Sequence, residues 1–318
     1  MADRPDVTVV IPTRDRWDVV PRTVASALAQ ESVEVEAVVV DDGSAQPAGE
    51  DAFGGDPRVT IVRHARPLGV SHARNAGIRA AAGPWVALLD DDDLWSPLKL
   101  KEQLEEAERT GADWVYSAVV LVDAALRPLE HLAAPDPPAL PDLLISEPTS
   151  AIPAGASNVC VRTDTIRATG GFDEHLFHLA DWDLWIRLAA EGLPAACQES
   201  HVAYVRHPGS MLVKVPDLLT READYLFDKH AGEAAARGLS FDRLRFERWI
   251  ASGHRRAGRR RQAARVYLRG AVRHRSAGNL FRALGALLGE TTWGRVARRR
   301  HTDPLERPRW LESFAEVP

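Results

Sequence analysis

Trp85-Val86-Ala87-Leu88-Leu89-Asp90-Asp91-Asp92-Asp93 is the stretch that decides the fold. Five consecutive apolar residues predict a strand covered on both faces, as in a parallel sheet. The four carboxylates that follow put the end of that strand at a surface. Upstream, Ser71 to Ala82 is alanine-rich with helical spacing, and Gly83-Pro84 supplies a helix stop. Downstream, Ser96 is placed to cap and Pro97 to open a helix reaching Arg109 and closed by Gly111.

The same alternation repeats on the N-terminal side. Val7 to Ile11 is a β-branched run ended by Pro12, followed by a helix that Asp18 can cap, with Pro21 in its first turn and Val20, Val24, Ala27 and Leu28 on one face. Val35 to Val40 is a second strand, stopped by the turn-forming Asp41-Asp42-Gly43-Ser44, and Val59 to Val62 a third. Strand and helix in alternation predict an α/β domain with a doubly wound, mostly parallel sheet flanked by helices. Ligands collect at the carboxyl ends of the strands in such folds.

Trp114 to Val122 reads as a further strand. Ala133 to Ala156 is rich in proline and without period, which predicts a long surface loop able to act as a lid. Asn158 to Arg162 and His201 to Arg206 are strand-like, Gly170-Gly171 is a turn, and Asp181 to Glu191 is amphipathic. Beyond Thr220 the pattern is helical, over Phe241 to Arg256, Arg259 to His274 and Leu280 to Leu288, and two antiparallel helix pairs fit it. Two regions are therefore expected: an α/β domain over 1–219 and a basic helical appendage over 220–318.

The net charge of -5 conceals that division: 220–318 holds 22 Lys and Arg against 11 Asp and Glu, whereas 1–219 holds 18 against 34. An acidic body suits a metal. An arginine-rich tail suits an anionic surface, such as the inner face of a membrane, or a solvated helical face whose apolar stripe packs inward. It has no recognised nucleic-acid motif and no interleaved aromatics, so no nucleic acid is expected. The acidic, proline-bearing start and the short apolar run after it lack the form of a signal peptide, and Cys160 and Cys197 lack pairing or metal-ligand spacing, so a cytoplasmic protein with reduced buried thiols is expected.

Adjacent carboxylates at a buried strand end repel one another without a counter-charge. A divalent cation resolves this, and hard oxygen ligands select Mg2+ or Mn2+, which take one or two carboxylates and complete their shell with water and substrate phosphates. The competing reading is a solvated acidic turn capping the next helix. Asp41 and Asp42 also stand at a strand end; alone they are ordinary turn chemistry, but Pro12-Thr13-Arg14 forms a third strand end beside them, and Arg74 and Asn75 open the alanine-rich helix nearby. Asp181 lies at a helix start, where it can serve as a base or simply as an N-cap.

Val-Ile-Pro-Thr-Arg at 10–14, Val-Asp-Asp-Gly-Ser at 40–44, Ala-Arg-Asn-Ala-Gly at 73–77, Leu-Asp-Asp-Asp-Asp at 89–93, Gly-Gly-Phe-Asp at 170–173 and Asp-Trp-Asp-Leu-Trp at 181–185 together resemble the family 2 glycosyltransferases. That resemblance implies a GT-A fold and transfer, mostly with inversion, from a nucleotide sugar. It places Pro12, Thr13, Arg14, Asp41, Asp42, Arg74, Asn75 and Asp91 around the nucleotide sugar, a UDP-sugar first. It places Asp90, Asp92 and His207 at the metal, with Asp92 as the direct ligand. It makes Asp181 the base, although the glutamate that usually precedes it is here Ala180. Asp183 is left to cap that helix or orient the acceptor, and Trp182 and Trp185 to stack on a sugar or pack in the core. The acceptor is a glycan, a lipid-linked or a small-molecule hydroxyl. Two other readings remain: a nucleotidyltransferase of related fold, which usually carries a Gly-rich loop that Pro12 to Arg16 lacks, and an inactive scaffold of the same fold.

Overall fold

The computed structural model describes residues 4–49, 52–147, 149–206, 216–256, 258–288 and 306–314. It divides into two compact units, Met1–Leu144 with Ser150–His207 and Glu306–Pro318, and Ile145–Thr149 with Pro208–Leu305.

The first unit is built on one sheet. β1 (Val7–Thr13), β2 (Val35–Asp41), β3 (Val59–Arg63) and β4 (Trp85–Leu88) run parallel in the order β3-β2-β1-β4, crossed by α1 (Val20–Leu28) and α2 (Val70–Ala80). Register aligns Thr13 with Asp41 and Val10 with Leu88, so the three strands release their chains along one edge. The short β5 (Leu94–Trp95) leads into α3 (Lys99–Thr110), which Gly111 ends in a left-handed conformation at φ 70°. The remaining strands are β6 (Trp114–Asp123), β7 (Pro128–Leu132), β8 (Cys160–Arg162) and β9 (Ala195–Arg206).

This second half departs from the parallel expectation. β8 lies antiparallel between β4 and β6, β7 is antiparallel to β6 and β5 to β9, and only β6 with β9 continues the parallel sense. β7 follows β6 after only residues 124–127, too short for the crossover that a parallel pairing needs. The core is continuous through both halves, joining Val9, Ile11, Val39 and Ala87 to Trp95, Val115 and Val202. Cys160 and Cys197 are buried in it, and burial pushes both thiols up to about 12, which leaves them inert.

Three local expectations are corrected. Asp18 does not cap α1, which starts at Val20 after Val19 with no side-chain cap. The segment Ala133 to Ala156 is no free lid: it contains a 3-10 turn at Pro137–Ala139, α4 (Leu140–Ser146) and the start of a second 3-10 turn at Gly155–Asn158, with Leu140, Leu144, Ile152 and Ala156 buried. Its prolines break any period, but its apolar residues still find the core. The C-terminal stretch is not wholly appendage either: the 3-10 turn Arg309–Phe314 belongs to the first unit, where Leu311 is buried among Leu94, Val120, Val122, Leu126 and Val205.

After α5 (Thr163–Ala168) and α6 (Ala180–Glu191), the second unit is helical: α7 (Pro216–Lys229), α8 (Ala231–Ala236), α9 (Arg243–Arg256), α10 (Arg260–Arg273) and α11 (Ala277–Leu288). Phe227 stacks on Phe241 and meets Phe246 edge-on, while Arg243 bridges Asp224 and Asp228 at 2.5 and 2.6 Å.

Candidate active site

Past Leu89 the chain turns, with Asp93 N–H donating to Asp90 O at 3.2 Å, and the turn sorts the four carboxylates into two pairs. Asp91 and Asp93 point inward. Thr13 Oγ1 donates to Asp91 at 2.7 Å, while Asp93, fully buried, accepts from Ser157 Oγ at 2.5 Å and from the Val205 N–H at 2.9 Å. Thr23 of α1 donates to the backbone carbonyls of both, at 3.0 Å each. Asp93 is therefore a structural knot tying the start of β5 to β9 and to the 3-10 turn at Gly155–Asn158, and it is withdrawn from the exposed carboxylates.

Asp90 and Asp92 keep access to solvent, their side chains 31% and 18% exposed. Two arginines face them. Arg74 Nη2 donates to Asp90 at 2.5 Å, and Arg16 Nη1 reaches both Asp91 at 2.8 Å and Asp92 at 3.0 Å. Burial raises Asp91 to about 7 against the pull of Arg16 and Thr13, and burial with its acidic neighbours raises Asp93 above the ordinary carboxylate range. Buried carboxylates side by side hold protons in this way until a cation joins them.

At the neighbouring strand ends the carboxylates serve the protein. Asp41 accepts from Arg63 at 2.6 Å and from the Ser44 N–H at 2.8 Å, and its side chain is 1% exposed. Asp42 pairs with His64 at 2.9 Å and accepts from the N–H groups of Leu68 and Gly69; burial opposes its ionisation, but these bonds hold it below its usual value. Gly43 between them sits at φ 69°, where a Cβ would meet the backbone of Arg66 and Pro67 at 2.5 Å, so only glycine brings the two loops together. Asp15 closes the clasp, its N–H donating to Ser44 Oγ and its carboxylate accepting from Ala45. Pro12 does not end β1 but pairs within it beside the last residue, Thr13, and Arg14, half exposed, reaches Asp15 at 3.4 Å.

Asp181 is the second residue of α6, after Leu179 at the N-cap position, so it is not the cap. The Trp182 N–H donates to its carboxylate at 2.8 Å. Burial raises it above its usual value, opposed by Arg74 and reinforced by Asp90, which places these three groups within electrostatic reach of one another. The helix dipole alone would keep it ionised; burial outweighs the dipole here. Gly155, at φ 48°, faces the same carboxylate so closely that a Cβ would run into it.

Other expected residues have duties in the protein. The Asn75 amide donates to Phe172 O and Glu174 and accepts from the Phe172 N–H, pinning α2 to the Gly170-Gly171 turn. Asp183, buried, holds Arg187, which in turn donates to the carbonyls of Thr169 and Gly171. Trp182 and Trp185 are both in the core, the first donating to Leu144 O at 2.6 Å and the second stacked on Trp114, so neither offers a face to a sugar. His207 lies outside the described residues. Arg16, Thr23, Gly155 and Ser157 were not expected. Arg16 is legible as one more cation in the Pro12 to Arg16 strand end, but Ser157 lies 64 residues from Asp93 and nothing local announces it.

Residues 8–148 match the family model "Glycosyl transferase family 2". The succinoglycan biosynthesis protein ExoO of Rhizobium meliloti (strain 1021) is 41% identical over 143 residues, 44% of this chain and 41% of that protein. The pre-mycofactocin glycosyltransferase of Mycobacterium tuberculosis is 32% identical over 231 residues, 69% of this chain and 46% of that one. The chain thus spans less than half the length of these curated relatives. Among solved structures, S. aureus TarS 1-349 in complex with UDP-GlcNAc superposes with a TM-score of 0.57 at 14% identity, covering 79% of this chain and 72% of that one. The chain belongs to glycosyltransferase family 2, and its first unit has the GT-A fold.

Proposed function

We propose that this protein transfers a sugar from a nucleoside-diphosphate donor, a UDP-sugar first, to an acceptor hydroxyl with inversion at the anomeric carbon. One observation carries the reading. Four segments distant in sequence deliver Thr13 with Arg16, Arg74, the exposed pair Asp90 and Asp92, and Asp181 to one cluster. The relative named a glycosyltransferase supports the reaction class, and the UDP-GlcNAc complex of S. aureus TarS supports a nucleotide-sugar donor.

The residues present fit a divalent cation, because Asp90 and Asp92 offer accessible hard oxygens, and the buried Arg74 Nε, which finds no acceptor among the described residues, is a donor left for an anionic oxygen such as that of a donor phosphate. Asp90 and Asp92 would hold Mn2+ or Mg2+, and the ion would supply positive charge at the departing diphosphate. Arg16 and Arg74 neutralise the carboxylates and can turn to donor phosphates. The clasped loops of Thr13, Arg14, Asp41 and Asp42 shape the nucleoside end. Asp181 takes the proton from the acceptor hydroxyl as that oxygen attacks, and a carboxylate with a raised proton affinity is a better base at neutral pH than an ordinary one.

Calorimetric titration of the full chain with a panel of nucleotide sugars, with and without Mn2+, tests the reading. One nucleotide sugar should bind in a metal-dependent way, and Asp92→Asn should remove that binding while the protein stays folded. Full donor binding in excess chelator, or in the variant, would overturn the metal assignment. A product with retained configuration would overturn the inverting mechanism.

A further inference from the structure

The α10–α11 hairpin of the second unit is packed inside out. Asn279, Ala283 and Ala286 are the buried residues of α11 among its described side chains, and the two alanines pack with Ala251 of α9 and with Ala263, Ala264 and Tyr267 of α10. The interior also carries Glu247, 3.4 Å from Arg273 and 3.3 Å from His274, while Asn279 Oδ1 accepts from Arg248 at 2.8 Å. The large apolar side chains point the other way. Leu280, Phe281, Leu284 and Leu287 of α11 are 47%, 72%, 52% and 50% exposed, and Leu268 and Val272 of α10 are 42% and 82% exposed. Helices of globular units bury their largest apolar residues, so the expectation that this stripe packs inward fails. A cluster of exposed apolar residues at helical spacing marks a contact surface.

The charge around it selects the occupant. Arg260 to Leu288 contains seven arginines and no aspartate or glutamate, and all seven are exposed. Arg261 and Arg265 precede Leu268 and Val272 at three-to-four spacing, so cations and apolar residues share one side of α10. A second copy docking by the same face would set like charge against like. Docking on the acidic unit of another copy would be head-to-tail and would generate a ring or an open chain of molecules. Nucleic acid would match the arginines but leave leucine and phenylalanine in water. A bilayer with anionic headgroups accepts both, the guanidinium groups at the phosphates and the apolar side chains at the acyl boundary.

We propose that the α10–α11 hairpin is a peripheral membrane-binding face for anionic phospholipid. It is independent of the catalytic reading. Flotation of the full chain with vesicles of phosphatidylglycerol and phosphatidylcholine, against phosphatidylcholine alone, tests it at low and high salt. Binding is expected only to the anionic vesicles and should weaken as salt screens the arginines. Arg261→Gln with Arg265→Gln should weaken partitioning by roughly thirtyfold, about fivefold for each arginine near the headgroups. Phe281→Ser with Leu284→Ser should weaken it by about tenfold or more, since both side chains leave water on binding. These positions are exposed, so circular dichroism and melting of the variants should match the parent. Absence of flotation at low salt, or equal flotation of all variants, would overturn the proposal. Self-association in sedimentation that the Phe281 and Leu284 changes dissolve would give the face to a second copy instead.

Discussion

The strands of the first unit and the helical hairpin of the second both carry a clear apolar pattern in sequence, a continuous run in one and a helical period in the other, yet they resolve it in opposite directions. In the first, Val86, Ala87 and Leu88 vanish into the core and the polar residues gather where the strands stop. In the second, alanine is inside and leucine and phenylalanine are outside. A strand inside a sheet has both faces committed by its neighbours, so an apolar run can only be buried. A helix can present either side to its partner. The close approach of two helices favours small residues at the contact, because the interaxial distance is set by the side chains between them. Periodicity therefore reveals that a helix is two-faced without saying what each face meets.

Variants in the two regions should separate cleanly. The largest effect is expected from Asp92→Asn, with donor binding and turnover both lost and vesicle flotation untouched; a variant that lost flotation as well would mean the two regions are not independent. Asp181→Asn should keep donor binding and lower turnover by about a hundredfold to ten-thousandfold. Its pH dependence has a definite sign. The base works ionised and burial raises its pKa, so kcat/KM should fall with acidity at a pH above the ordinary carboxylate midpoint. The same raised pKa means that the folded chain retains this proton where the unfolded chain has lost it, so the group's contribution to stability falls as pH rises through that interval. Asp181→Asn should accordingly melt higher than the parent at neutral pH, and a lower melting temperature would argue that Asp181 is held ionised.

Gly155→Ala sharpens the same point with a smaller effect. The added Cβ would displace the Asp181 carboxylate from a residue at φ 48°, and misplacing a reacting group should lower turnover by roughly tenfold to a hundredfold. Arg16→Gln should have the mildest outcome and a different readout. Removing a cation 3.0 Å from Asp92 should tighten Mn2+ binding by about threefold to tenfold in the absence of donor, followed by calorimetry or by the Mn2+ resonance. Weaker binding would show that Arg16 organises the carboxylates rather than competing for them.

Much of the α/β scaffold was legible because each signal was local. Val7 to Ile11, Val35 to Val40, Val59 to Val62 and Trp85 to Leu89 announce themselves as buried strands, and Gly111 ends its helix as its position implies. Asp181 at a helix start was legible too. Its environment was not, since it depends on Gly155 from the proline-rich segment and on the charges of Arg74 and Asp90. The segment from Ala133 to Ala156 defeated a periodic reading because it folds as three short pieces, each below the length at which a period can show.

Among the four carboxylates at 90–93, sequence alone determined that charge would be crowded at a strand end, for a run of acids after a buried apolar strand has nowhere else to go. Only the tertiary structure decided their division of labour. Asp93 is bound by Ser157 and Val205, Asp91 is shared by Thr13 and Arg16, and Asp90 and Asp92 remain accessible to a ligand. Sequence likewise determined that the C-terminal helices would be basic and two-sided. The direction in which the apolar side faces was decided by packing, because alanine and asparagine fill the narrow space between helices and leave the leucines outside. In both places the residue type is a local property, whereas the partner that gives it a role arrives from elsewhere in the chain.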